Sequence, residues 1–115
     1  MTMNFNEISW EDFEKIDIRS GQIINAEPNT KAKIPAYILT IDFGELGIKT
    51  SSAQLIENYT TEDLINKKVI AVVNFPVKII AGIKSEVLVL ATVCNQLGTL
   101  LVSADQKTIN GSKIK

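Results

Sequence analysis

The sequence predicts an all-β chain: five main strands closing a Greek-key barrel, with a short amino-terminal helix and an extension at each end. Three observations carry that reading. Tyr37, Leu39, Ile41 and Phe43 alternate with Ile38, Thr40 and Asp42, the period of a half-buried strand. Val69–Phe75 and Ser85–Val93 are apolar runs rich in β-branched residues and too short for buried helices. Turn chemistry (Gly44–Gly47, Gly98, Asn110-Gly111) separates them at short intervals. Five such strands with one helical connection and bends at glycine suit a closed barrel.

The elements follow in order. Ser9–Lys15 reads as a short helix, with Ser9 as N-cap and Asp12 three residues on. Trp10 and Phe13 share its face and require something to pack against. Ile16, Ile18, Ile24 and Ala26 then share one parity of a first strand, with a bulge expected at Gly21. The loop 27–35, holding Pro28, Asn29 and Pro35, ends it. The second strand runs from Tyr37 to Phe43, and a third from Ile48 to Ser52. Thr60–Leu64, hydroxyls followed by acids, predicts a helical turn. Val69–Phe75 is the fourth strand, closed by Pro76. Ser85–Val93, nearly all apolar, is the fifth and is expected to lie centrally. Leu97–Thr99 turns into Leu100–Val102, and Thr108–Ile114 forms a last short element.

At 115 residues the chain fits one domain, assigned to 1–115, and can bury roughly 60–70% of its unfolded surface. Hydrophobic residues make up 45% and charged residues 22%, a globular balance that excludes global disorder. Cys94 is the single cysteine, so no intrachain disulfide can form, and a small buried hydrophobe is its expected role. The amino terminus does not read as a signal peptide, and no apolar run approaches a membrane span. A soluble, cytoplasmic protein without membrane insertion is expected. The net charge of −1 hides a division. Residues 1–66 carry five basic and eleven acidic side chains, and residues 67–115 carry seven and two. A local basic surface is compatible with that split.

Histidine is absent, which removes the residue best suited to proton transfer near neutral pH and with it the usual triads and most transition-metal sites. No nucleotide-binding glycine motif occurs. Glu11, Asp12, Glu14 and Asp17 read better as a cap and a solvated face than as an acid/base pair. The expectation is therefore no enzyme, no metal and no cofactor.

What remains are three polar stretches inside apolar strands: Asp17–Gly21, Lys49–Gln54, and Asn74–Lys78 continuing to Gly82–Glu86. A barrel needs none of them to close, and hydroxyls, amides and lysines on one barrel face suit phosphate and base-edge contacts. The runs DIRSGQI, PAYILTIDFGELGIKTSSAQL, VVNFPVKIIAGIKSEVLVLA and TINGSKI resemble the CsaA family over roughly residues 9–115. That family belongs to a wider group of tRNA-binding OB-folds, among them the carboxy-terminal domain of many methionyl-tRNA synthetases.

The resemblance implies an OB-fold homodimer that binds tRNA, with a chaperone-like role in protein export as the alternative. Unfolded export substrates or a secretion component would then be partners beside tRNA. Carried over by position, the residues implied to face RNA are Arg19, Ser51, Ser52, Gln54, Asn74, Lys78, Lys84 and Ser85. Each has a structural competitor: Ser51 and Ser52 in satisfying backbone groups, Asn74 in holding a turn before Pro76, Arg19 in pairing with Asp17 or Glu86. Trp10, Phe13, Leu100, Leu101, Val102 and Ile109, apolar additions outside the five strands, are the implied dimer interface. By that resemblance a Pro-Arg-Arg or Pro-Arg-Lys stretch is usual where this chain has Val77-Lys78-Ile79. Fewer cations imply weaker tRNA binding, and an exposed Ile79 or Ile80 would suit apolar peptide.

Overall fold

The computed structural model describes residues 5–115. Residues 1–4, which the sequence reading placed in the same domain and in a signal-free amino terminus, lie outside the described residues. Two α-helices, a single 3-10 turn and nine strands follow one another among the described residues: α1 (Trp10–Glu14), β1 (Ile18–Pro28), β2 (Tyr37–Asp42), the 3-10 turn (Gly44–Leu46), β3 (Ile48–Ala53), α2 (Thr61–Leu64), β4 (Lys68–Val72), β5 (Lys78–Ile80), β6 (Ile83–Ser85), β7 (Leu88–Val89), β8 (Ala91–Cys94) and β9 (Gly98–Leu101). No described helix is long and apolar enough to cross a membrane.

The main sheet is antiparallel, in the order β3-β2-β1-β4-β7. Its two edges meet through a seam between β3 and residues 84–87. Glu86 N donates to Thr50 O at 2.9 Å, the one backbone bond of the seam. Side chains complete it: Ser51 Oγ donates to Val87 O at 2.9 Å, Thr50 Oγ1 to Lys84 O at 2.6 Å, and Ser85 Oγ accepts from Ser52 N at 3.1 Å. The result is a nearly closed five-stranded barrel of the OB type, as predicted.

The alternation predicted for β2 fills the barrel. Leu39, Ile41 and Phe43 are fully buried and pack with Ile23, Leu55, Leu64, Val69 and Val87. Burying each such side chain contributes about 1.5–3 kcal/mol before entropy is counted.

β1 departs from expectation twice. The bulge falls between Ile23 and Asn25 rather than at Gly21, which pairs regularly with Val69. One extra residue shifts the parity, so Ile23 points inward while Ile24 and Asn25 both face out. Ile24 therefore does not share a buried face with Ala26. Gly21 is glycine for packing: a Cβ there would lie 2.7 Å from the buried Phe43 ring and 2.8 Å from Ile41.

The predicted fifth strand is the largest correction. Ser85–Val93 is divided among three partners: β6 pairs with β5, β7 with β4, and β8 with β9. It is peripheral rather than central, with Leu88 50% and Val93 82% exposed. An unbroken apolar run carries no mark of where the chain changes neighbours. Cys94 consequently stands exposed where the β8–β9 hairpin turns, contrary to the buried role expected. Amide N–H groups of Leu97 and Gln96 hold its thiol below the ordinary range.

The predicted cap at Ser9 is present, and the predicted helical turn at Thr60–Leu64 begins with a cap of the same kind. Ser9 Oγ accepts from Asp12 N while Asp12 Oδ2 accepts from Ser9 N, and Thr60 and Asp63 repeat the exchange. No residue of α1 is buried. The last segment runs back along β1, with Gly111 N donating to Ser20 O and Ile114 N to Ile18 O. Gly111 has φ 89°, and a Cβ there would come within 2.3 Å of Phe43 O. The buried Lys68 ammonium anchors the same turn through Thr108 O and Asn110 Oδ1, both at 2.8 Å.

Candidate nucleic-acid interface

The hairpin β5–β6 leans over the closed side of the barrel and makes one wall of a groove. Its two-residue turn places Ala81 (φ 48°) and Gly82 (φ 81°) in the left-handed region, the geometry that matches strand twist in a tight hairpin. Cross-strand pairing sorts its side chains. Lys78 lies opposite Ser85, and Ile80 opposite Ile83, on one face; Ile79 and Lys84 share the other.

Beneath the first face is a hollow of about 480 Å³ bounded by Ser52, Phe75, Val77, Lys78, Ile80, Ser85, Glu86 and Leu88. A second hollow of about 400 Å³ lies between Lys31 and Lys33 of the β1–β2 loop, Gln54 and Ala81. Ser52 and Ile80 border both, so the two hollows adjoin at those residues and together make up the groove. Three of its lining residues, Lys31, Lys33 and Lys78, are cations. The acid beside them, Glu86, is turned to the seam, where Oε1 accepts from Thr50 N at 3.0 Å. The lining is thus largely apolar and carries three cations against the one carboxylate of Glu86.

Of the expected RNA-facing residues, the structure gathers Ser52, Gln54, Lys78 and Ser85 along this groove. Lys84 is exposed on the hairpin's opposite face. Three others are taken up by structure. Ser51 is buried and its hydroxyl is spent on Val87 O. Asn74 closes a node between the ends of β4 and α1, its Oδ1 accepting from Asp17 N at 2.9 Å and its Nδ2 donating to Lys15 O at 2.8 Å. Arg19 pairs with Asp17 at 2.7 Å and donates to Gly111 O at 3.1 Å, away from the groove. For Arg19 and Ser51 these are the competing structural uses expected; Asn74 instead ties the backbone at Lys15 and Asp17 and does not hold a turn before Pro76.

Lys31, Lys33, Phe75, Val77 and Leu88 were not among the expected site residues. A Lys-x-Lys pair within a Pro-bounded loop and a phenylalanine set between Asn74 and Pro76 were signals available in the sequence. Neither reports which wall of a groove a loop will build.

The apolar residues expected at one dimer interface occupy three places. Trp10, 84% exposed, and Phe13 line a hollow with Ile16 and Ile114. Ile109 is 79% exposed beside Leu46. Leu100 and Leu101 belong to β9, which Tyr59 holds by accepting from Leu101 N at 3.0 Å, and Val102 follows it, its N donating to Leu90 O. Leu101 also packs on the core.

Barrel and groove together define the class: an OB-fold binding domain whose basic, apolar-floored groove lies beside the closing seam. A family profile described as "Putative tRNA binding domain" matches residues 18–113. Crystal structures of the chaperone CsaA from Bacillus anthracis and from Picrophilus torridus superpose with TM-scores of 0.89 and 0.88. They share 46% and 49% identity, over 96% and 95% of this chain and the whole of each. The chain belongs to the CsaA family of tRNA-binding OB-fold domains. It is also 33% identical over 108 residues to a methionine–tRNA ligase of Pyrococcus horikoshii, matching 94% of this chain and only 14% of the ligase.

Proposed function

We propose that this chain is a non-catalytic tRNA-binding protein that acts as a homodimer in the cytoplasm, with the groove between the β1–β2 loop and the β5–β6 hairpin as its RNA-contact face. The observation that supports this most directly is the placement of Lys31, Lys33 and Lys78 around Ser52, Gln54 and Ser85, beside an acid engaged with the seam. Lysines of the two hollows take phosphates, and the hydroxyls and amides beside them take sugar and base edges. Dimerisation is assigned to the terminal face, where Trp10, Phe13 and Ile114 leave apolar surface uncovered. Two grooves held at fixed separation would grip one folded RNA more tightly than either alone.

The apolar floor favours a second reading, a chaperone-like dimer that takes apolar peptide segments of export substrates. Salt separates the two. Binding of labelled bulk tRNA should weaken steeply between low and near-physiological salt, and the Lys31→Ala, Lys78→Ala double variant should reduce that salt slope by about 2, one for each lost phosphate contact. Absence of tRNA binding even at low salt, with retained capture of apolar peptide, would replace the first reading by the second.

A further inference from the structure

The composition of the groove specifies more than a charge. Phosphate binding alone calls for cations on an open surface, and exposed apolar side chains would add nothing to it. Here Phe75 and Val77 stand 55% and 54% exposed and Leu88 50%, all bordering one hollow next to Lys78. That placement is held by the fold. Asn74 pins the start of the arm to the backbone at Lys15 and Asp17, Pro76 stiffens the next step, and the pairing of β5 with β6 fixes Lys78 and Ile80 on the inner face. An occupant must therefore offer flat apolar faces and negative charge at close spacing.

Resting on the proposed RNA-contact face, we infer that the groove takes unpaired nucleotides: a base lies against Phe75 over the Val77–Leu88 floor, while neighbouring phosphates meet Lys78 in one hollow and Lys31 and Lys33 in the other. A duplex does not fit these requirements. Its bases stay stacked on one another, it presents phosphates and 2′-hydroxyls, and it would leave the floor in water. Hollows of about 480 and 400 Å³ joined at Ser52 and Ile80 fall within the size of small-ligand pockets, which suits one or two splayed bases each. Charge complementarity decides between RNA and peptide. Lys31, Lys33 and Lys78 outnumber the one lining carboxylate, Glu86, which also accepts from Thr50, so the groove as a whole carries a net positive charge and favours an anionic chain over a neutral apolar one. The tRNA regions addressed would be loops or the single-stranded terminus rather than helical stems.

The test uses the full chain, fluorescence anisotropy, and two RNA probes: a labelled single-stranded octamer and a labelled hairpin stem with a minimal loop. The octamer should bind more tightly than the stem and should compete with bulk tRNA. Phe75→Ala should lower octamer affinity about tenfold or more, the scale of one lost base–aromatic stack, without changing the salt slope. Phe75→Tyr should restore it and Phe75→Leu should not, which separates stacking from simple apolar cover; circular dichroism confirms that all three fold. If bulk tRNA binds with steep salt dependence but the octamer fails to compete, the tRNA-binding reading stands and this inference falls. If Phe75→Ala leaves octamer affinity unchanged, the inference falls as well. If neither RNA binds while an apolar peptide does so in a Phe75-dependent way, both fall.

Discussion

The seam that closes the barrel and the groove beside it are built from the same polar stretches, and they use them in opposite ways. At the seam, Thr50, Ser51 and Glu86 spend their side chains on protein partners at 2.6–3.1 Å. In the groove, two residues from Thr50 and one from Ser51, Ser52 and Gln54 border open space with Lys78 and Ser85. Adjacent residues of a strand point to opposite faces, so Ser51 turns into the barrel while Thr50, Ser52 and Gln54 share the other parity. Those three are divided only by what stands over them: Lys84 and Glu86 over Thr50, open space beside Ser52 and Gln54. Thr50, Ser51 and Glu86 hold the barrel shut, and the side chains of Ser52, Gln54 and Lys78 are left to meet a ligand. Ser85 borders the groove while accepting from Ser52 N at the seam. A polar motif retained in a strand therefore need not be a binding motif throughout.

Substitutions should separate the two sets. The largest effect on stability is expected at Ser51. Ser51→Ala removes the donor to Val87 O inside the barrel and should cost about 1–3 kcal/mol in chemical denaturation. tRNA affinity per folded molecule should be unchanged; a selective loss of affinity at full stability would move Ser51 into the binding set. Lys78→Ala should do the reverse. Stability should stay within about 0.5 kcal/mol, as for other exposed positions, while the salt slope of tRNA binding falls by about 1. Lys84→Ala, on the outer face of the same hairpin, should change that slope by less than Lys78→Ala does. Equal slopes for the two would show that RNA wraps the hairpin rather than filling the groove.

The smallest effect concerns the helix caps. Backbone N–H groups of Ser9 and Thr60 hold the Asp12 and Asp63 carboxyls below their ordinary range. A carboxyl whose folded pKa is depressed contributes stability above its unfolded pKa and loses it as pH falls through the folded value. Unfolding should thus become slightly easier in the acid range below ordinary carboxylate titration. Asp12→Asn and Asp63→Asn should flatten that part of the pH–stability curve, read by thermal melts across the range.

Much of the fold was legible locally. The cap at Ser9, the helical turn at Thr60, the alternation of β2 and the turn at Asn110-Gly111 follow from neighbours within a few residues, and all are observed. The misreadings share a cause. Gly21 was expected to bulge because glycine weakens a strand, yet its reason lies with Phe43, twenty-two residues away in the chain and 2.7 Å away in space. The division of Ser85–Val93 depends on β4, β5 and β9 arriving as partners. Lys31 and Lys33 gain meaning only because their loop is brought up to Ile80 and Ala81.

By itself the sequence determined the all-β barrel, the cap at Ser9, the helical turn at Thr60, the inward face of β2 and the family to which the chain belongs. The tertiary structure alone decided which residues of each polar motif close the barrel, where β1 bulges, and which lysines share a groove with Phe75. The physical reason is the range of the interactions. Propensity, capping and alternation are settled among residues a few positions apart. The orientation of Ser51 against Ser52 is settled by hydrogen bonds to Val87 and Ser85, more than thirty residues further along the chain. A period of two states that neighbouring side chains oppose each other, and only the strand or loop that arrives on each side states what they oppose.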